Sequence, residues 1–343
     1  MNAVKIVAQG AGGKRTRLAD VLPLEAPFVL QIFPAYVCNF RCNFCIFSVE
    51  EKKRGFISDK KLMDFEMYKR SIDEMTRFKN KIKVLRFAGM GEPLLHPQIT
   101  EMIAYATEKQ VAEKTEIITN ASLLDHETSD RLAAAGLSRL LLSIEGVTPE
   151  KYQKISQAKM DFDKFLENIR YCFEHRGKMH IHAKIVNIAL DGPEEEEKFY
   201  QMFDQISDSM GIENVMPLYP CVDFKEVLKG QDLSMTQYGV PVSKVTVCPQ
   251  PFYTTQINPD GKVVPCYSIV YPEIMGDCTN ESIYEIWHGE KFRKFRLKML
   301  EGSKISCEAC RKCEVMEHRL FPEDDLSGEA ERLKKVYQNK MIE

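Results

Sequence analysis

The chain has 343 residues, 44% hydrophobic and 28% charged, enough for one large folded domain and a smaller one. Its 47 basic and 50 acidic residues leave a net charge of -3, which offers no electrostatic basis for binding nucleic acid or an anionic membrane. No apolar run approaches the roughly 20 residues of a membrane span, and the N-terminus lacks an apolar export core, so the expected location is the cytoplasm.

Residues 1–25 read as a mixed leader containing Gly10, Gly12 and Gly13, with no role assigned. A rhythm then begins. Strand-like apolar runs at 29–33, 83–88, 116–119, 140–144, 180–188 and 214–219 alternate with helical periodicity over 65–78, 99–108, 126–135, 162–173 and 195–206. Asp161 and Pro193 stand near helix starts, and Gly136 and Gly177 follow helix ends. This alternation predicts an α/β fold with a parallel sheet, open or barrel-like. No G-x-G-x-x-G follows the first strand, which argues against a dinucleotide fold.

Nine of the eleven cysteines fall in two groups, at 38–45 and 248–313. The first is Cys38-Asn39-Phe40-Arg41-Cys42-Asn43-Phe44-Cys45, a C-x3-C-x2-C run just after the first strand. Thiolates at this spacing suit an iron–sulfur cluster or zinc. Three thiols leave one iron of a cubane without a protein ligand, a place for a small molecule to bind.

The second strand runs into Gly89-Met90-Gly91-Glu92-Pro93, where small residues let backbone approach a ligand and Glu92 supplies an acceptor. Asn120, Ser143 and Glu145 stand at the carboxyl ends of later strands, where parallel folds build sites. Lys184 lies within the fifth strand and has a role only if it faces inward. His96, His180 and His182 lack further ligands nearby in sequence and read as packing or substrate-facing residues. The acidic run 194–197 is a solvated helix start.

From 229 to 247 the chain is polar and aperiodic, as a linker would be. Two β-type runs then flank Asn258-Pro259-Asp260-Gly261, a hairpin signal that brings Cys248 and Cys266 together across its base. One or two helices fill 283–300, and Cys307, Cys310 and Cys313 follow. Spacing alone leaves zinc and an iron–sulfur cluster both open for this four-thiolate site.

The C-x3-C-x2-C run, with Phe44 before its third cysteine, resembles the cluster motif of the radical S-adenosylmethionine (radical SAM) superfamily. Gly91-Glu92-Pro93 resembles that family's "GGEP" motif, with Met90 in place of its first Gly. The resemblance implies a partial (β/α)6 TIM-like barrel over 26–230. It also implies a [4Fe-4S] cluster on Cys38, Cys42 and Cys45, with S-adenosylmethionine held through its amino and carboxylate groups. Phe44, Gly89, Met90, Gly91, Glu92, Asn120 and Ser143 are the implied cofactor contacts.

Gly261 to Cys266, Met275-Gly276-Asp277 and Ile286-Trp287 resemble the SPASM or shortened twitch extension of the same enzymes. That places a small auxiliary-cluster domain, with a β-hairpin and helix, at 231–320, before a charged helical tail at 321–343. The implied ligands of one auxiliary [4Fe-4S] cluster are Cys248, Cys266, Cys310 and Cys313, with Cys307 as the substitute and Cys278 in the core.

The implied chemistry is reductive cleavage of S-adenosylmethionine to a 5′-deoxyadenosyl radical that abstracts hydrogen from a substrate carbon. An external one-electron donor such as flavodoxin or ferredoxin is its partner. Oxidation or epimerisation of a small polar molecule, a sugar or aminocyclitol, is the expected outcome, a small substrate being preferred because no extra N-terminal domain for a leader peptide is seen. In epimerisation Cys221 is the residue that returns hydrogen, and peptide maturation is the alternative. A non-enzymatic protein knotted by two zinc sites is the competing class.

Overall fold

The structure, a computed structural model, describes residues 2–6, 15–55, 60–267 and 271–339. Gly10, Gly12 and Gly13 of the leader therefore lie outside the described residues. Apolar residues packed on both faces make six parallel strands that follow one another in space as in sequence: β2 (Val29–Ile32), β3 (Ile82–Phe87), β4 (Ala112–Thr119), β5 (Arg139–Ile144), β6 (His180–Val186) and β7 (Ser209–Glu213). Helices return the chain between them, the βαβ connection that parallel strands require. This is the expected six-stranded parallel β/α unit.

Local chemistry sets the helix limits. Helix Phe65–Met75 begins where the Asp64 carboxylate accepts from the Met67 N–H at 2.8 Å. Asp125 and Asp161 cap His126–Ala134 and Phe162–His175 in the same way. Met67, Tyr68, Ile72 and Met75 lie on one face of the first helix and are all buried against the sheet. Each such side chain contributes roughly 1.5–3 kcal/mol.

Three expectations need correction. The sixth barrel strand is Ser209–Glu213, and the apolar stretch 214–219 runs on as irregular chain. At Gly211 a Cβ would stand 2.1 Å from the Ile6 carbonyl oxygen, so only glycine admits the strand that lies beside it. That neighbour is β1 (Val4–Lys5), so the N-terminal leader supplies a parallel edge strand on β7. A short helix, Leu18–Val21, buries Leu18 and Ala19 in the main core.

The polar stretch 229–247 is no loose linker. Thr236 is 1% exposed, and the Gln237 backbone bridges two distant segments, accepting from Asn214 at 3.1 Å and donating to His318 at 2.9 Å. Helix Pro149–Ser156 was also not expected, although Thr148 caps it and Pro149 opens it.

The C-terminal hairpin does not form a sheet of its own. Strand β8 (Thr254–Ile257) pairs parallel with β2, and β9 (Lys262–Val264) and β10 (Gly276–Asp277) follow antiparallel, giving the order β1-β7-β6-β5-β4-β3-β2-β8-β9-β10 among the described residues. Helices Ile283–His288 and Glu290–Glu301 bury Trp287, Phe292 and Phe295 beneath it. The tail helix Ala330–Asn339 buries Leu333 and Tyr337, and the Tyr337 carbonyl accepts from Arg293 at 3.1 Å. No helix among the described residues is long and apolar enough to cross a membrane.

Candidate active site

A polar rung crosses the sheet in register. Gln256, Gln31, Arg86, Glu116, Arg139 and His180 are successive partners from β8 to β6. Glu116, 1% exposed, accepts from Arg86 at 2.9 Å and from Arg139 on its other oxygen. Burial raises its pKa, but the two guanidiniums outweigh that and hold it below the usual carboxylate range. Charged residues inside strand runs were the available sign of this interior rung, and the expectations did not use it.

At the carboxyl ends of the strands lies a cavity of about 240 Å³. Cys38, Cys42 and Cys45 all line it, together with Phe44, Gly89, Gly91, Glu92, Asn120 and Ser143. The Met90 side chain instead packs with Phe33, Tyr36, Ile46 and Phe47.

The cysteine loop is held from two sides. The orphan carbonyls of Ser156 and Ile155, at the end of helix Pro149–Ser156, accept from Arg41 at 2.8 Å and Asn43 at 3.0 Å. On the other side Asn120 donates to Asn39 at 2.9 Å, and Ser122 closes the triangle with hydrogen bonds of 2.7 Å to each asparagine. Asn120 thus positions the loop as well as lining the cavity.

Glycine is required after β3. A Cβ on Gly89 (φ +121°) would stand 2.4 Å from the Phe33 ring, and one on Gly91 (φ +153°) would stand 2.2 Å from the Ala35 carbonyl oxygen. That close approach lets the Glu92 N–H donate to Val37 at 2.8 Å, tying the motif to the chain entering the cysteine loop. The Glu92 carboxylate is engaged within the protein: it accepts from Leu94 N–H (2.9 Å), Thr119 Oγ1 (2.7 Å) and Asn120 N–H (2.7 Å). Burial outweighs those donors and lifts its pKa to about 7.

Burial likewise pushes the Cys38 thiol up to about 11 and Cys45 to about 12, so these groups need cationic metal to become thiolates. Among the described residues no three His, Cys, Asp or Glu side chains converge closely enough to hold a single metal ion. The thiols surround a space rather than a point. Three thiols lining one cavity are the soft donors that an iron–sulfur cluster takes.

A second thiol-lined cavity, about 30 Å³, lies in the C-terminal part and is bounded by Cys248, Cys266, Cys310 and Cys313. Cys307 does not line it; its sulfur caps helix Glu308–Arg311 by accepting from the Cys310 N–H at 3.4 Å. Cys278 is 4% exposed within the main core.

Several cavity residues were not foreseen. Gln237, Tyr238, Tyr267 and Arg319 reach the first cavity from outside the six-stranded unit. Lys184 does face inward and pairs with Glu213 at 2.9 Å. His180 and His182 both contact Ser209 Oγ, at 2.8 and 2.9 Å, and His96 bonds the Met63 carbonyl at 2.9 Å; all three hold structure together. Cys221 lines none of these cavities and packs on the aromatic cluster around Phe33 and Phe47.

Comparison with known families decides the larger question. The Radical SAM superfamily model matches residues 32–206, half of the chain. The chain belongs to the radical SAM superfamily. A SPASM iron–sulfur cluster-binding domain matches residues 248–314, so this radical SAM protein carries S-adenosylmethionine, a [4Fe-4S] cluster and an auxiliary iron–sulfur cluster. The zinc-knotted alternative falls with that result.

The chain is 22% identical to a tungsten-containing aldehyde ferredoxin oxidoreductase cofactor-modifying protein of Pyrococcus furiosus, covering 80% of this chain and 84% of that one. It is 25% identical to a PqqA peptide cyclase of Bradyrhizobium diazoefficiens, covering 89% and 82%. The crystal structure of BtrN in complex with AdoMet and 2-DOIA shares the fold, with a TM-score of 0.53 and 19% identity over 83% of this chain and 92% of that one.

Proposed function

We propose that this radical SAM enzyme dehydrogenates a small polar substrate seated beside the three-cysteine loop. One observation carries the reading. Cys266 lines the four-thiol cavity, while the next residue, Tyr267, lines the cavity shared with Cys38, Cys42 and Cys45. Substrate and auxiliary site are thus separated by little more than one residue of chain.

When bound, the N-terminal cluster with S-adenosylmethionine supplies hydrogen-atom abstraction, and the auxiliary cluster supplies a one-electron acceptor. Loss of a hydrogen atom, then of one electron and one proton, leaves the substrate two electrons more oxidised. Glu145 is placed to take the proton: it lines the cavity and its Oε2 is buried without a hydrogen-bond partner. The chain's own task is to position the substrate and exclude water, with Tyr238 and Tyr267 closing the space from the C-terminal side. An external one-electron donor, a flavodoxin or ferredoxin, is the expected partner.

Anaerobically reconstituted protein supplied with reductant and S-adenosylmethionine should release 5′-deoxyadenosine. A panel of sugars, cyclitols and hydroxy acids should then yield a product two mass units lighter, with one cofactor consumed per turnover. Failure to form 5′-deoxyadenosine sinks the reading, and a product of unchanged mass carrying one solvent deuterium replaces dehydrogenation with epimerisation. A peptide substrate is the second reading, favoured by the similarity to a PqqA peptide cyclase. Turnover of peptides and of none of the small molecules would establish it.

A further inference from the structure

The cations of the active-site cavity are paired with carboxylates, with one exception. Arg86 is paired with Glu116, and Lys184 with Glu213. Arg319 lines the same cavity and forms no ion pair among the described residues. It arrives just after helix Val315–His318, so the segment beyond the last cysteine delivers it to the barrel mouth.

Its surroundings fix the plane of the guanidinium and leave one edge open. The Nε donates to Gln237 Oε1 at 2.6 Å, and the guanidinium carbon lies 4.6 Å from the centre of the Tyr267 ring. Gln237 passes its own amide to Glu213 Oε2 at 3.0 Å, the oxygen that also takes Lys184. Glu213 Oε2 is thus committed to Lys184 and Gln237, its Oε1 has no hydrogen-bond partner, and neither oxygen bonds the two terminal nitrogens of Arg319. A guanidinium removed from bulk water without a counter-charge is costly, and a planar pair of N–H donors matches an oxyanion bidentately.

A second cavity, about 160 Å³, adjoins the first and shares Arg319, Lys184 and Tyr267 with it. None of Cys38, Cys42 and Cys45 lines it, whereas S-adenosylmethionine is assigned to the first cavity beside those thiols. We propose that Arg319 binds an oxyanion of the substrate in this adjoining cavity, with Tyr267 beneath the guanidinium. The substrate is then a carboxylate- or phosphate-bearing polar molecule, not a cationic amino sugar. This rests on the radical SAM reading of the neighbouring cavity and narrows its substrate class.

The test titrates reconstituted, cofactor-loaded protein at constant ionic strength with glutarate, with inorganic phosphate and with uncharged glutaramide, following heat by calorimetry. Saturable binding of glutarate or of phosphate, at least tenfold weaker in Arg319→Gln and intermediate in Arg319→Lys, is the expected result. Preference between the two anions tells a carboxylate from a phosphoryl substrate. Absence of saturable anion binding to the wild type, or unchanged binding in Arg319→Gln, overturns the proposal. If Arg319→Gln does not fold, the wild-type preference for glutarate over isosteric glutaramide still decides it. Release of 5′-deoxyadenosine by the wild type reads the underlying enzyme assignment separately, since it needs no substrate anion.

Discussion

The Glu92 carboxylate accepts the backbone N–H of Asn120 at 2.7 Å, so one buried side chain joins the loop after β3 to the end of β4. Two further donors, from Leu94 and Thr119, complete its shell. Glu92→Ala strands all three in a buried site, and each unsatisfied donor costs roughly 1–3 kcal/mol. Denaturant unfolding of the cluster-free variant should show a loss of at least about 2 kcal/mol. Its affinity for S-adenosylmethionine should fall as well, because Asn120 then ceases to hold Asn39. An unchanged unfolding midpoint would show that the shell is not maintained in solution.

The cysteines divide by the cavity each one lines. Replacing Cys38, Cys42 and Cys45 together by Ala should reduce bound iron from about eight per chain to about four and abolish cofactor cleavage. Cys310→Ala should remove the other four. Cys307→Ala should retain about eight, since that sulfur serves as a helix cap. Iron and sulfide analysis of anaerobically purified variants checks all three outcomes, and loss of iron in Cys307→Ala would make it a ligand.

Much of the barrel was legible because its strands are dense apolar runs bounded by turn residues, and its helices carry Asp caps at their starts. Two of its strands were not. Strand β1 has two residues, Val4 and Lys5, too short to show a period, and is held by its pairing with β7 and by Lys5 on Tyr200 and Glu197. Strand β7 reads Ser-Met-Gly-Ile-Glu, less apolar than the stretch that follows it, and admits β1 on its outer edge through the space at Gly211. The three-cysteine loop was legible because its ligands are close in sequence. Arg319 and Gln237 were not, because 82 residues separate two side chains that only the folded chain brings into contact.

His182 gives the stability a pH dependence whose sign is fixed. Burial, the main cause, lowers its pKa to about 4 from an ordinary 6.5. Glu213 opposes that shift, while Lys184, Arg139 and His180 add to it. The unfolded chain therefore binds more protons between about pH 6.5 and 4, and stability is lost as pH falls through that window. At 1.36 kcal/mol per unit the contribution is about 3 kcal/mol. His182→Gln should flatten this part of the unfolding profile, and an unaltered profile would place the acid sensitivity elsewhere.

Cys221 stands eight residues beyond the end of β7 and faces none of the thiol- or arginine-lined cavities. Cys221→Ala should therefore keep full substrate turnover once a substrate is known. Retained cofactor cleavage with lost product formation would instead restore it as a hydrogen donor and favour epimerisation.

Glu116 is a buried charge shared by two cations. Its side chain is 1% exposed and carries both Arg86 and Arg139. Glu116→Leu leaves two guanidiniums facing each other across β4 without a counter-charge, and breaking a buried pair in this way costs about 3–5 kcal/mol. Arg86→Met combined with Glu116→Leu and Arg139→Met should recover much of that loss, because it removes the charges together instead of stranding them. Unfolding free energies of the cluster-free proteins measure both. If the triple variant is as unstable as the single one, the rung contributes through shape and packing, and the charge argument fails.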